Sequence, residues 1–325
     1  MRFSTFFLLS TLLWACACDT DDTTAPPPDA DTPPQDSTDL AEDLPPDLPP
    51  EDSLDAVETE DTADPDGDDA HDVTADTTDA DDDADTERCD RLFGLPTENT
   101  GLKADRCAPA CACGEQRFTA ILPTEALIQR LFEFSLDNPA ELLQEDPYTW
   151  EEVPENTGVC AVTLLGDDNY RVDDFPAPES AAAAGAILTH YDGCGLCSSL
   201  QDLAVYMRYP DLTTPVKACG VLSLSEGDEA ALACIRDLGF TEPCAQIWFY
   251  NTRHTREQCL VPCILALTDP YHLPDGSLNG CILCDEEVSG PIFKAVAGRT
   301  RRNTGLASAL CRPCAEVRPL DHVYE

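Results

Sequence analysis

Three C-x-x-C pairs, Cys194/Cys197, Cys281/Cys284 and Cys311/Cys314, are the residues of this chain best placed to do chemistry, with Cys259/Cys263 and Cys107/Cys111/Cys113 as further tight clusters. A thiolate is a nucleophile and a soft metal ligand. Two such pairs can close a tetrahedral zinc or iron–sulfur site, here Cys194, Cys197, Cys281 and Cys284, with His190 as a further donor. Covalent haem is excluded, because Ser198, Asp285 and Ala315 follow the pairs where haem attachment needs His. In an oxidising compartment the same thiols become cystines. The candidates are then Cys89, Cys107, Cys111, Cys113, Cys160, Cys194, Cys197, Cys219, Cys234, Cys244, Cys259, Cys263, Cys281, Cys284, Cys311 and Cys314. Their pairing is not readable from spacing. Disulfides are the expectation, with no cofactor.

A second kind of chemistry needs cations. Arg299, Arg301 and Arg302 form the one tight basic cluster in a chain of net charge −44. Gly298 and Gly305 flank them and let a ligand approach the backbone, so with Asn303 they could hold a carboxylate, sulfate or phosphate. The competing use is pairing with the protein's own carboxylates. Asn251-Thr252-Arg253-His254-Thr255-Arg256 adds a candidate base. An exported hydrolase-like enzyme would assemble its site from His254, His272, Asp285 and the Arg299–Asn303 run. The rival reading is a binding or structural module, and no catalytic residue is assigned.

Asp192-Gly193-Cys194-Gly195-Leu196-Cys197-Ser198 resembles the nucleophile segment of papain-type cysteine proteases. The resemblance implies a thiol at Cys197 activated by a helix start. Leu196, Ser198 and Tyr191 depart from the family's small, aromatic and Gln residues, and no Asn-Ser-Trp run follows. A disulfide at Cys194 or Cys197 is therefore the expectation.

The compartment decides between thiol and cystine, and the first 18 residues speak to it. Arg2 precedes an apolar run from Phe3 to Trp14, broken only by Ser4, Thr5, Ser10 and Thr11. A spanning helix needs about 20 apolar residues and a signal-peptide core roughly 7 to 15, so the run reads as a targeting segment. Leu13-Trp14-Ala15-Cys16 resembles the lipobox of bacterial lipoproteins. The resemblance implies acylation of Cys16 and membrane anchoring through that lipid; Ala15-Cys16-Ala17-Cys18 is the alternative, with lipid on Cys18. Ala17 after Cys16 implies the outer membrane of a bacterial cell envelope, at the cell surface or in the periplasm, whereas Asp19 after Cys18 implies the inner one. A plain secretory cut near Ala17 would release a soluble protein. Residues 240 to 310 resemble uncharacterised cysteine-rich exported proteins, which implies no activity.

Residues 19 to 88 contain 28 Asp or Glu, ten Pro and one basic residue, Arg88. So little apolar surface cannot offset the entropy of ordering, and the tract reads as a disordered linker with an r.m.s. span of roughly 45 Å. Asp64, Asp66 and Gly67 fit part of a calcium loop, but Thr62 and Val73 fall where its first and closing carboxylates belong.

The elements that must position the chemistry lie in residues 89–325, where 35 acidic residues face 17 basic ones. Such a surface repels nucleic acid, so the expected partners are a small anionic ligand or a protein. Helices are expected from Thr124, across Ala181 to Leu188, after Ser198 or Ser199, and from Asp228, Thr241 and Pro291, with one strand at Val159 to Leu165. The expected fold is mainly α: a disulfide-rich helical domain after a long disordered acidic linker, organised as 1–18, 19–88 and 89–325.

Overall fold

Side-chain caps start several of the helices. A computed structural model describes residues 91–114 and 116–324, all in one unit, Asp76–Glu325. Cys16, Cys18, the acidic linker and Cys89 lie outside the described residues. Short strands come first: β1 (Leu92–Phe93), β2 (Cys107–Ala108), β3 (Ala110–Cys113) and β4 (Gln116–Thr119). Thr124 Oγ1 then accepts from Leu127 N to start α1 (Glu125–Glu133), which buries Ile128 and Leu131. Next come β5 (Ser135–Leu136), β6 (Val159–Gly166), β7 (Asn169–Phe175), α2 (Pro178–Ala183) and β8 (Ile187–Tyr191). Ser199 caps α3 (Leu200–Arg208), and α4 (Thr213–Ser225), α5 (Asp228–Asp237) and α6 (Glu242–Gln258) follow. The C-terminal part holds α7 (Leu260–Leu265), α8 (Gly280–Cys284), a π-helical turn (Asp285–Ser289), α9 (Gly290–Ala297), α10 (Arg301–Thr304) and β9 (Arg312–Pro313).

The expectation of a mainly α domain is corrected: the described residues form a mixed α/β structure with three sheets. The largest has the order β5-β7-β6-β8. Asp167 and Asp168, at φ 50° and 63°, close the β6–β7 hairpin, the positive φ pair of a tight type I′ turn. β7 carries Arg171, Asp173 and Asp174, which hide its alternation, yet Tyr170 and Val172 pack on the core. Gly185, at φ 73°, ends the Ala-rich helix early, so Ile187–Tyr191 runs on as β8. The other sheets, β2-β1-β9 and β3-β4, have strands too short to show any period.

α3 is the hub. Leu200 and every residue from Asp202 to Met207 are buried, as expected of a helix enclosed on all sides. Tyr170 Oη accepts from Leu200 N at 2.8 Å, tying the large sheet to its first turn. Buried Asp202 accepts from Ser199 Oγ, Thr241 N and Thr241 Oγ1, so one carboxyl joins the starts of α3 and α6. Each fully buried Leu or Ile here contributes about 1.5–3 kcal/mol.

Seven disulfides cross-link the described residues: 107–311, 111–314, 160–194, 197–244, 219–234, 259–284 and 263–281. Cys113 is also disulfide-bonded. Every C-x-x-C pair is split, each of its cysteines bonding a different partner. Cys281/Cys284 meet Cys263/Cys259 in antiparallel order, two turns of helix fastened face to face. Cys311/Cys314 meet Cys107/Cys111 in parallel order and set the register of β9 beside the N-terminal strands.

Candidate functional site

The basic run begins at a sharp turn. Gly298 has φ 72°, and a Cβ there would stand 2.5 Å from Gly195 N, so only glycine lets this turn pack on the Cys194–Cys197 loop. Thr300 then starts α10 with a capping box: its Oγ1 accepts from Asn303 N, and its N–H donates to Asn303 Oδ1 at 2.7 Å. All four candidate anion ligands have partners inside the protein. Asn303 Nδ2 donates to Asp192 Oδ2 and Gly298 O. Arg299 has no exposed surface and donates to Cys197 O, Ser198 O, Thr189 O and Thr189 Oγ1 between 2.8 and 3.0 Å. Arg301 donates to Tyr209 O and Ala307 O. Arg302 pairs with Glu286 at 2.6 Å and Glu316 at 3.3 Å.

Only Arg301 and Arg302 of these four face open space, a cavity of about 140 Å³. It lies among the α3–α4 turn, α6, the π-helical turn, α9 and α10. Asp285 and Glu286, the first residues of the π-helical turn, line it; such turns recur at functional sites. Glu286 accepts from Arg302 and Arg312 and stands 3.2 Å from Lys294 Nζ. Burial alone would raise its carboxyl, but Arg312, Arg302 and Lys294 outweigh burial and hold it at about 2. Asp285 is raised, first by burial and also by Glu286 beside it, although Thr255 and Asn251 donate to it.

The opposite wall is aromatic. Trp248 meets Phe293 edge-on at 4.7 Å and Tyr206 at 6.2 Å between ring centroids. Arg301 Cζ lies 5.5 Å over the Tyr206 ring, and burial draws its guanidinium down to about 10. Trp248 Nε1 is buried against the Tyr206 hydroxyl, its neighbour in this wall.

Cystines fix both rims of this cavity. Asp285 directly follows Cys284, which is bonded to Cys259, and Arg312 sits between Cys311 and Cys314, bonded to Cys107 and Cys111. Sequence reasoning passed over Lys294, Arg312, Trp248, Tyr206 and Phe293. For Arg312 a signal existed, a cation locked inside a C-x-x-C pair.

The histidines do not join this site. His272 is buried, its Nε2 accepting from Cys311 N and its Nδ1 meeting Gly276 O. His254 stacks on Tyr148 at 4.2 Å, and its Nδ1 meets Ser289 Oγ at 3.0 Å. Neither lines the cavity. Cys197, the candidate thiol of the papain-like segment, is bonded to Cys244. His190 Nε2 contacts Ser198 Oγ at 2.8 Å, but the two residues are 0% and 1% exposed, closed to any substrate. Cys194, Cys197, Cys281 and Cys284 bond four separate partners and form no tetrad. Among the described residues no group of His, Cys, Asp or Glu is placed to hold a metal ion, and no helix is long and apolar enough to cross a membrane. A larger cavity, about 360 Å³, borders Asn138, Leu196, Ser199 and Thr241 and has no charged side chain in its lining.

A family of unknown function (DUF8771) matches residues 228–319, under a third of the chain. The matched stretch runs from the start of α5 past β9. It holds the 259–284 and 263–281 bridges and six of the cavity's charged side chains, all but Asp211. No curated protein and no solved structure matches the chain.

Proposed function

We propose that this chain is an exported lipoprotein of the bacterial cell envelope whose cystine-stapled domain binds a small anion. Cys16 carries the lipid, the outer membrane is the destination, and residues 19 to 88 hold the domain off the bilayer. The lipobox resemblance and the composition of the acidic tract support the tether. One observation carries the binding role: in a strongly acidic domain, a cavity framed by two cystine staples gathers four cationic side chains, Lys294, Arg301, Arg302 and Arg312, against three acidic ones. A hydrolase is the weaker reading, since His254 and His272 lie apart from that cavity.

Intact mass of the natively purified protein after denaturation and thiol alkylation, with labelled fatty-acid feeding and metal analysis, tests this. The expected result is an acyl-modified N-terminus, loss of label in Cys16→Ala, alkylation of a single thiol, Cys18, which stands outside the sixteen cysteines of the domain, and no metal. Label retained in Cys16→Ala but lost in Cys18→Ala would move the anchor to Cys18. Reactive thiols with stoichiometric metal would replace the module by a thiol or metal protein.

A further inference from the structure

Resting on the cavity as a ligand site, we infer that it selects a small organic monocarboxylate with a flat apolar body, of the class of benzoate, rather than phosphate or sulfate. Three features of the lining select that class. The first is size: a cavity of about 140 Å³ matches the roughly 150 Å³ that holds one benzene ring. A single ring or short branched chain fills it, and a nucleotide or sugar phosphate does not.

The second is charge. Lys294, Arg301, Arg302 and Arg312 stand against Asp211, Asp285 and Glu286, a formal excess of one positive charge. One negative charge neutralises that excess. A dianion would leave net repulsion from Asp285 and Glu286, whose carboxylates are fixed in the wall. Arg301 is the cation open to a new partner: its bonds go to the carbonyls of Tyr209 and Ala307, and no carboxylate pairs with it.

The third is the wall itself. Tyr206, Trp248 and Phe293 offer faces and edges for an apolar body, and Arg301 lies over the Tyr206 ring at the end of that wall. Carboxylate toward Arg301 and ring against Trp248 and Phe293 is the orientation these groups impose.

Calorimetry on the full oxidised chain at constant ionic strength, with benzoate, benzamide and inorganic phosphate as probes, tests the inference. Benzoate should bind with a dissociation constant of about 1 mM or tighter, within the efficiency open to a ligand of its size. Benzamide, equal in shape but neutral, should bind at least about 10-fold more weakly, and phosphate more weakly still. Arg301→Gln removes the cation and keeps a planar polar head; it should weaken benzoate about 10-fold and leave benzamide less affected. Equal affinity for benzoate and benzamide, or phosphate tighter than benzoate, would overturn the ligand class and leave the cavity as a binding site. No binding of any probe by the wild-type chain would overturn both.

Discussion

Arg299 and Arg302 stand three residues apart and end in opposite surroundings. Arg299 is sealed among neutral oxygens, with the carbonyls of Thr189, Cys197 and Ser198 and the Thr189 hydroxyl around one guanidinium. Arg302 lies at a cavity wall among charges, sharing Glu286 with Arg312 and Lys294. A guanidinium with no exposed surface and four bonds to fixed oxygens has no room for a new partner, whereas one at a cavity wall can meet a ligand's charge. The first arrangement builds the domain, and the second leaves a place for a ligand.

Removing Arg299 gives the largest expected effect. Arg299→Ala strands three buried carbonyls and opens a void at the junction of β8, the Cys194–Cys197 loop and α10. The expected loss is about 4 kcal/mol or more, read as the shift of a urea unfolding curve. Arg299→Lys should recover little, because an ammonium cannot reproduce a planar fork donating to Cys197, Ser198 and Thr189 together. Rescue by Lys would show that charge alone matters there, and the contrast with Arg302 would collapse.

Next comes Glu286→Gln, which leaves Arg302, Arg312 and Lys294 facing each other without their shared anion. About 3 kcal/mol of stability should go. The carboxyl is held at about 2 when folded, against 4.5 as the ordinary value. Its contribution is therefore complete above pH 4.5 and lost as pH falls toward 2. Acid titration of wild type and Glu286→Gln should converge below that window, and parallel curves would mean the ion cluster does not stabilise the fold.

These contrasts explain how much of the molecule could be read from residues alone. Ser199, Thr124, Asp228 and Thr241 mark helix starts because a short polar side chain or an acidic first turn is a local signal, and Val159 to Leu165 shows its strand in β-branched residues. β7 did not show, since Arg171, Asp173 and Asp174 mask an alternation that depends on Tyr170 and Val172 meeting a distant helix. α4 was missed for a related reason: apolar side chains surround it, with Val221 and Leu224 exposed opposite buried Val216 and Cys219. The arginine run was legible as a cluster but not as two roles. What divides Arg299 from Arg301 and Arg302 is the turn at Gly298, and that turn is set by packing on Gly195, about a hundred residues away.

Asp202, a carboxyl held by the neutral donors of Ser199 and Thr241, responds to pH in the opposite sense to Glu286. Burial raises Asp202 from 3.8 to about 6, against the hydrogen bonds from Ser199 and Thr241. The folded protein binds that proton more tightly than the unfolded chain, so its stabilisation is present below pH 3.8 and lost as pH rises through 6, by on the order of 2 kcal/mol. His322, lowered by burial to about 4, acts in the reverse sense: its contribution is full above pH 6.5 and is lost as pH falls. The difference between wild type and Asp202→Asn isolates the Asp202 part. That difference should change between pH 4 and 6, while Glu286→Gln leaves this window nearly unaltered.

The smallest effect belongs to Lys294→Gln. Lys294 is the most exposed of the three cations around Glu286, its side chain 41% exposed against 27% for Arg302 and 13% for Arg312. A half-exposed ammonium pair is screened by water and salt, so its loss should cost no more than about 0.5 kcal/mol at ordinary ionic strength. The two guanidiniums should then still hold Glu286 ionised, and the acid limb of the stability curve should keep its midpoint. If Lys294→Gln instead moved that limb toward neutral pH as far as Arg312→Gln does, the mobile lysine and not the cystine-locked arginine would set the charge of the cavity. The rigid rim at Cys311 and Cys314 would then lose its part in fixing the site.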